Sequence, residues 1–118
     1  MARVLVVDDA IFARMRCARL LTDNGYEVDE ASNGAEALAK YKQQKPDAVL
    51  LDITMPDMDG LAALKQIISH DPDARVAMVS AMGQKSMVVE ALEVGAKDFV
   101  VKPFDAARVL QAVQKLVS

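Results

Sequence analysis

The sequence predicts an α/β domain of the flavodoxin-like type: a five-stranded parallel sheet in the order 2-1-3-4-5, with five helices on both faces. Three observations carry that expectation. Short apolar runs stop abruptly at polar residues, as in Arg3-Val4-Leu5-Val6-Val7 before Asp8-Asp9 and Ala48-Val49-Leu50-Leu51 before Asp52. A run that is apolar throughout fits a strand buried on both faces, which is how parallel sheets lie. Amphipathic segments alternate strictly with these runs, and the connections between them are short, so each strand must be followed by a helix that crosses back over the sheet. Right-handed crossovers and five strands then favour the stated order.

Taken in order, Arg3 to Val7 is the first strand. Ala10 to Asn24 follows as a helix, with Ala10, Ala13, Cys17, Leu20 and Leu21 on one face and Arg14, Arg16 and Arg19 on the outside. Gly25 ends it as a left-handed cap. Tyr26 to Ala31 alternates and is more polar, which suits an edge strand. Asn33-Gly34-Ala35-Glu36 resembles a capping box, and Ala37, Leu38 and Tyr41 form the inward stripe of the second helix. Lys45-Pro46-Asp47 breaks that helix and leads into the central strand, which ends at Asp52.

Thr54 to Gly60 is turn chemistry, with Asp57 and Asp59 as turn and cap residues. Asp59 caps a helix running to about His70, with Leu61, Leu64, Ile67 and Ile68 inward. His70 to Asp73 is a turn that leaves His70 facing solvent. Arg75 to Val79 is the fourth strand, ending at Ser80, and Gly83 to Val94 is a helix closed by Gly95. Asp98 to Val101 is a short fifth strand ending at Lys102-Pro103. Asp105 caps the last helix, with Ala106, Val109, Leu110, Val113, Leu116 and Val117 inside.

At 118 residues the chain reads as one domain, 1–118, with no linker, repeat or separate output domain. Although 53% of residues are hydrophobic, no run approaches the ~20 needed to span a bilayer. Met1-Ala2-Arg3-Val4 carries no signal-peptide pattern. Cys17 is the single cysteine and reads as a core residue, so a reducing cytoplasm fits. A net charge of −3 with no Trp, two Tyr and three Phe argues against a nucleic-acid surface. No membrane or nucleic-acid partner is expected, and a monomer is.

The strand ends carry the chemistry. In this topology Asp8, Asp9, Asp52, Ser80 and Lys102 meet at one rim, the carboxyl ends of the strands, where open α/β sheets place their ligands. Two unit charges ~4 Å apart repel by roughly 4 kcal/mol at an effective dielectric of 20. A hard divalent cation answers that repulsion, and Mg²⁺ favours sites with one or two carboxylates plus a phosphate. Lys102 supplies a positive charge and Ser80 a hydroxyl. A carboxylate nucleophile, Mg²⁺, a lysine and a hydroxyl together describe phosphoryl transfer, in which positioning and neutralisation dominate.

Val6-Val7-Asp8-Asp9, Asp52-Ile53-Thr54-Met55-Pro56, Ser80-Ala81 and Lys102-Pro103 resemble, in order and spacing, the motifs of response-regulator receiver domains. The resemblance spans essentially the whole chain. Ser80-Ala81-Met82-Gly83-Gln84 and Gly95 to Phe104 are further similar to the stand-alone chemotaxis regulators of that family.

The resemblance implies roles at matching positions. Asp52 accepts a phosphoryl group from the histidine of a sensor kinase, here of the chemotaxis (CheA) type. Asp9, Asp52 and the backbone carbonyl of Thr54 ligate Mg²⁺, with Asp8 assisting through water. Lys102 contacts the phosphoryl group, Ser80 swings to bond it, and Phe99 turns inward behind it. The peptide bond before Pro103 is cis. Phe99 departs from the tyrosine often found there, so an inward–outward switch survives while a hydroxyl contact does not. The protein catalyses only its own phosphorylation and dephosphorylation, and it signals to a flagellar switch protein or another downstream protein.

Met87-Val88-Val89 covers about 200° of helix circumference, more than a core stripe needs. With Lys85, Val88, Phe99 and Val101 this fits a partner surface, and equally it fits ordinary rim packing. Met82 and Met87 flank the switch region. Three other functions use the same elements: a phosphorelay shuttle or other receiver with a non-motor target, a Mg²⁺-dependent phosphatase, and a flavodoxin-like cofactor binder. The phosphatase wants a lid for which the chain has no insertion. The cofactor binder wants Ser, Thr and Gly donors in the first loop, where Asp8-Asp9 repels phosphate.

Overall fold

The computed structural model describes residues 2–53, 55 and 59–118. Its elements are β1 (Arg3–Val7), α1 (Ile11–Asp23), β2 (Glu27–Ala31), α2 (Gly34–Gln44), β3 (Ala48–Asp52), α3 (Gly60–His70), β4 (Val76–Ala81), α4 (Lys85–Val94), β5 (Asp98–Lys102) and α5 (Ala106–Val117). The strands form one sheet in the order β2-β1-β3-β4-β5, with every pairing parallel. Fold class and strand order are those the sequence predicts.

Alternation along each strand divides the core into two layers. Leu5, Val7, Val49, Leu51, Val76 and Met78 face α2, α3 and α4 through residues such as Tyr41, Leu64, Ile67 and Ala91. Val4, Val6, Leu50, Ala77 and Val100 face α1 and α5 through Cys17, Leu21, Val109, Val113 and Leu116. β3 is buried at every position, and the edge strand β2 is half-exposed along most of its length. The sheet is therefore rigid at its centre, where Asp52 terminates a strand.

The caps locate the helices. Asn33 accepts from Glu36 N at 2.8 Å, Asp59 from Ala62 N at 2.7 Å and Asp105 from Arg108 N at 2.8 Å. The reciprocal half of the capping box is redirected, because the Glu36 carboxylate takes Ser32 Oγ at 3.1 Å. Among the expectations that shift, Ala106 of α5 is exposed rather than inside, and the buried face of that helix begins at Val109. α4 starts at Lys85 rather than Gly83, since Gly83 has φ +88° and turns the loop left-handed ahead of the helix. On α1, Ala10 is exposed and Ala18 is buried, so the apolar stripe is rotated toward the helix middle. Among the described residues, no helix is long and apolar enough to cross a membrane.

Candidate functional site

β1, β3 and β5 end side by side or one strand apart, so Asp8, the residue after β1, and Asp52 and Lys102, the last residues of β3 and β5, reach one rim. Asp8 and Asp52 are buried, at 6% and 8% exposure, while Asp9 is exposed. Asp8, Asp9 and Asp52 each offer one carboxylate oxygen, and these three oxygens lie within 4.8 Å of one another. Lys102 Nζ stands between two of them, donating to Asp8 Oδ2 at 2.9 Å and to Asp52 Oδ2 at 3.2 Å. Burial works against the Lys102 ammonium, but its hydrogen bond to Asp8 and the charges of Asp52 and Asp8 more than offset this and hold its pKa above the ordinary lysine value. Asp8 and Asp52 thus share the Lys102 ammonium with Asp9 close by, and these four groups carry a formal excess of two negative charges.

That excess fits a divalent cation. Mg²⁺ bonds oxygen at 2.0–2.1 Å in an octahedron, so opposite ligands lie ~4.2 Å apart. The three oxygens that Asp8, Asp9 and Asp52 offer, within 4.8 Å of one another, are near that spacing. Asp8, Asp9 and Asp52 are the residues that would hold the ion. The Thr54 carbonyl, the fourth expected ligand, lies outside the described residues, as do Pro56 and Asp57.

Ser80 is 1% exposed near the end of β4 and pairs in register with Val101. The last residue of that strand, Ala81, donates its N–H to Gln84 Oε1 at 2.7 Å, closing the β4–α4 turn. Phe99 is 38% exposed on β5, and Arg108 on α5 donates to its carbonyl and to Asp98. The Lys102–Pro103 peptide is cis, as the resemblance implies.

Between α4 and β5 runs an apolar cleft of about 450 Å³, lined by Met82, Val88, Val89, Leu92, Phe99 and Val101. Lys85 stands at its margin. Within this expected partner surface Val88 needs correcting. It is only 7% exposed and packs into the core, so it reaches the cleft from the floor, whereas Val89 at 45% and Leu92 at 39% form the open wall. The reason is that Val88 sits one turn before the buried Ala91, on the face turned to the sheet.

Two residues of the site have roles that sequence reasoning did not give them. Gly60 was legible only as a turn residue. A Cβ there would stand 1.9 Å from the Asp52 carbonyl oxygen, so α3 can begin against the end of β3 only with glycine at this position. Gly60 N also donates to Ile53 O. Arg14, expected on the outer face of α1, is instead sheltered, donating from Nη1 to the Asp8 carbonyl at 2.9 Å and from Nε to Glu30 at 3.0 Å.

Residues 4–114 match the model of the response regulator receiver domain. The chain is 56% identical over 117 residues to the "Chemotaxis protein CheY" of Bacillus subtilis (strain 168), covering 98% of both chains. Among solved structures it is similar to a CheX-CheY-BeF3-Mg+2 complex from Borrelia burgdorferi, with TM-score 0.93 and 43% identity over 99% of this chain and 90% of that one. The receiver domain of NtrX from Brucella abortus has the same TM-score, 0.93, at 36% identity, with 97% of each chain covered. Backbone likeness therefore marks receivers in general, and sequence identity marks the chemotaxis branch. The family match runs through all five strands and through the acidic rim, which sets this sheet apart from cofactor-binding domains of similar topology. The chain belongs to the response-regulator receiver-domain family, and within it the chain resembles CheY.

Proposed function

We propose that this protein is a single-domain response regulator of a two-component system, in which Asp52 accepts a phosphoryl group from a sensor-kinase histidine. The observation that carries this reading is the shared ammonium: Lys102 bridges Asp8 and Asp52 inside a cluster of carboxylates spaced for a hard cation. An Asp52 carboxylate oxygen bonds to phosphorus as the phosphorus–nitrogen bond to the donor imidazole breaks. Asp8, Asp9 and Asp52 would hold Mg²⁺, which would supply charge neutralisation for the transferring group. Lys102 is placed to exchange its bond to Asp52 for one to the phosphoryl oxygen, and Ser80 supplies a hydroxyl from the next strand. The chain is a signalling protein whose catalysis is confined to its own phosphorylation and dephosphorylation.

Chemotaxis is the pathway that the identity to CheY supports. The phosphodonor is then a chemotaxis-type histidine kinase and the output a flagellar switch protein, reached in the cytoplasm by the monomer through the α4–β5 cleft. Phe99, half-exposed at that cleft, turns inward as Ser80 moves. Inverting a 1:99 equilibrium takes roughly 5.5 kcal/mol. Two or three charge-assisted hydrogen bonds at ~1.5–3 kcal/mol each meet that requirement.

The test is intact-protein mass after incubation with Mg²⁺ and acetyl phosphate. One labile phosphoryl adduct is expected on the wild type, absent from Asp52→Asn and absent when EDTA precedes the donor. An adduct of equal yield on Asp52→Asn would move the acceptor elsewhere and overturn the assignment.

A further inference from the structure

Arg14 is a cation placed beside a site that must itself attract a cation. Its guanidinium is sheltered, with the side chain 15% exposed, and it ties together three elements. Nη1 donates to the Asp8 carbonyl at 2.9 Å, Nε donates to Glu30 of β2 at 3.0 Å, and its own N–H caps onto Ala10 O at 2.9 Å. The Asp8 carbonyl belongs to the peptide that joins Asp8 to Asp9. The Asp8 side chain is already held from two sides, by Ala10 N at 2.9 Å and Lys102 Nζ at 2.9 Å. Among the described residues, no side chain bonds to the Asp9 carboxylate. Its placement therefore follows the backbone that carries it, which is held on one side by the Asp8 N–H on the Ala31 carbonyl at 3.1 Å and on the other by Arg14 on the Asp8 carbonyl.

We infer that Arg14 is a positioning residue for the cation site, fixing the Asp8–Asp9 peptide so that both carboxylates converge on one point. The inference rests on the reading of this cluster as a Mg²⁺ site. Glu30 belongs to the device. It neutralises Arg14 locally, so the clamp can stand near the site with little repulsion of a metal ion. Lysine does not replace it, because an ammonium is a single point on a flexible stem, whereas the planar guanidinium holds two acceptors on different strands at fixed angles. The device resembles the outer partners of metal ligands, whose loss typically weakens metal binding 10–100-fold.

Charge and positioning predict opposite results, which makes the inference testable by calorimetric Mg²⁺ titration of the full chain. Arg14→Lys keeps the charge and loses the two-point hold, while Arg14→Gln loses the charge and keeps one short donor. A positioning role weakens Mg²⁺ binding in both variants, by about 10-fold in Arg14→Lys. If charge alone mattered, Arg14→Gln would bind Mg²⁺ more tightly and Arg14→Lys would match the wild type; either result overturns the inference. Urea midpoints in EDTA accompany each titration, and a loss of stability with an unchanged Mg²⁺ constant would make Arg14 merely structural. Failure of the wild type itself to bind Mg²⁺ would overturn the metal reading and the inference with it, whereas wild-type binding matched by Arg14→Lys sinks the inference alone.

Discussion

The two ends of the sheet treat carboxylates in opposite ways. Near the amino ends of the strands, each of four acids is met by a separate donor group, even where one residue supplies several of them. Arg3 pairs with Glu27 and Asp29, its N–H bonds Asp47 at 2.8 Å, and Asp71 takes Tyr41 Oη at 2.7 Å and Asp73 N at 3.1 Å. At the carboxyl ends, one oxygen from each of three acids lies within 4.8 Å of the others, and the Lys102 ammonium bridges two of those acids. The first arrangement is a solved electrostatic problem and contributes to stability. The second concentrates negative charge at one point, which is what the proposed Mg²⁺ site would use.

The contrast can be broken most forcibly at Gly60. A methyl group there meets the Asp52 carbonyl, so Gly60→Ala has to push α3 away from β3. A loss of about 3 kcal/mol in urea unfolding is expected, at the upper end of overpacking costs, together with loss of Mg²⁺ binding. Wild-type stability in this variant would show that the close approach does not shape the site.

At the opposite end the expected effect is smaller. Tyr41→Phe removes the bond to Asp71 and should cost about 1 kcal/mol at pH 7. The hydrogen bond from Tyr41 and the N–H of Asp73 hold the Asp71 carboxyl below its ordinary value, with burial opposing them. A depressed folded-state pKa gives stability that is present above the unfolded value, about 3.9, and is lost as pH falls through the lowered one. The gap between wild type and variant should therefore narrow below about pH 4. A constant gap down to pH 2 would mean the bond does not depend on the Asp71 charge.

The finest discrimination comes from Asp9. Asp9→Asn relieves repulsion at the crowded rim and should stabilise the metal-free protein by about 0.5 kcal/mol. Saturating Mg²⁺ should reverse the ranking, because the wild type gains more from the ion. Paired urea titrations in EDTA and in Mg²⁺ read both signs. Destabilisation in EDTA would show that the two rims are balanced alike.

What the sequence disclosed follows the same division. Asp8, Asp52, Ser80 and Lys102 were legible because each ends an apolar run, and a parallel sheet gathers such ends at one rim. Arg14 was not, because helical spacing assigns an arginine to the outer face while a long stem lets its guanidinium reach back to β1 and β2. Val88 was misread for a related reason: three adjacent apolar residues do not declare which one the sheet will bury. Gly60 carried no signal beyond turn chemistry, since a glycine required by a neighbour's backbone reads the same as one required by a turn.

Cys17 lies in the layer between the sheet and α1, 6% exposed. Burial, aided by the charge of Asp8 and opposed by Lys102, pushes its thiol up to about 11. At neutral pH the thiol therefore stays protonated, and the thiolate is the reactive form. The native chain is accordingly close to silent toward maleimides. A single cysteine introduced at an exposed position such as Val89 or Met82 would take a spin label or fluorophore without first stripping the natural thiol, so changes in the label's surroundings at the α4–β5 cleft can be followed in an otherwise unaltered protein.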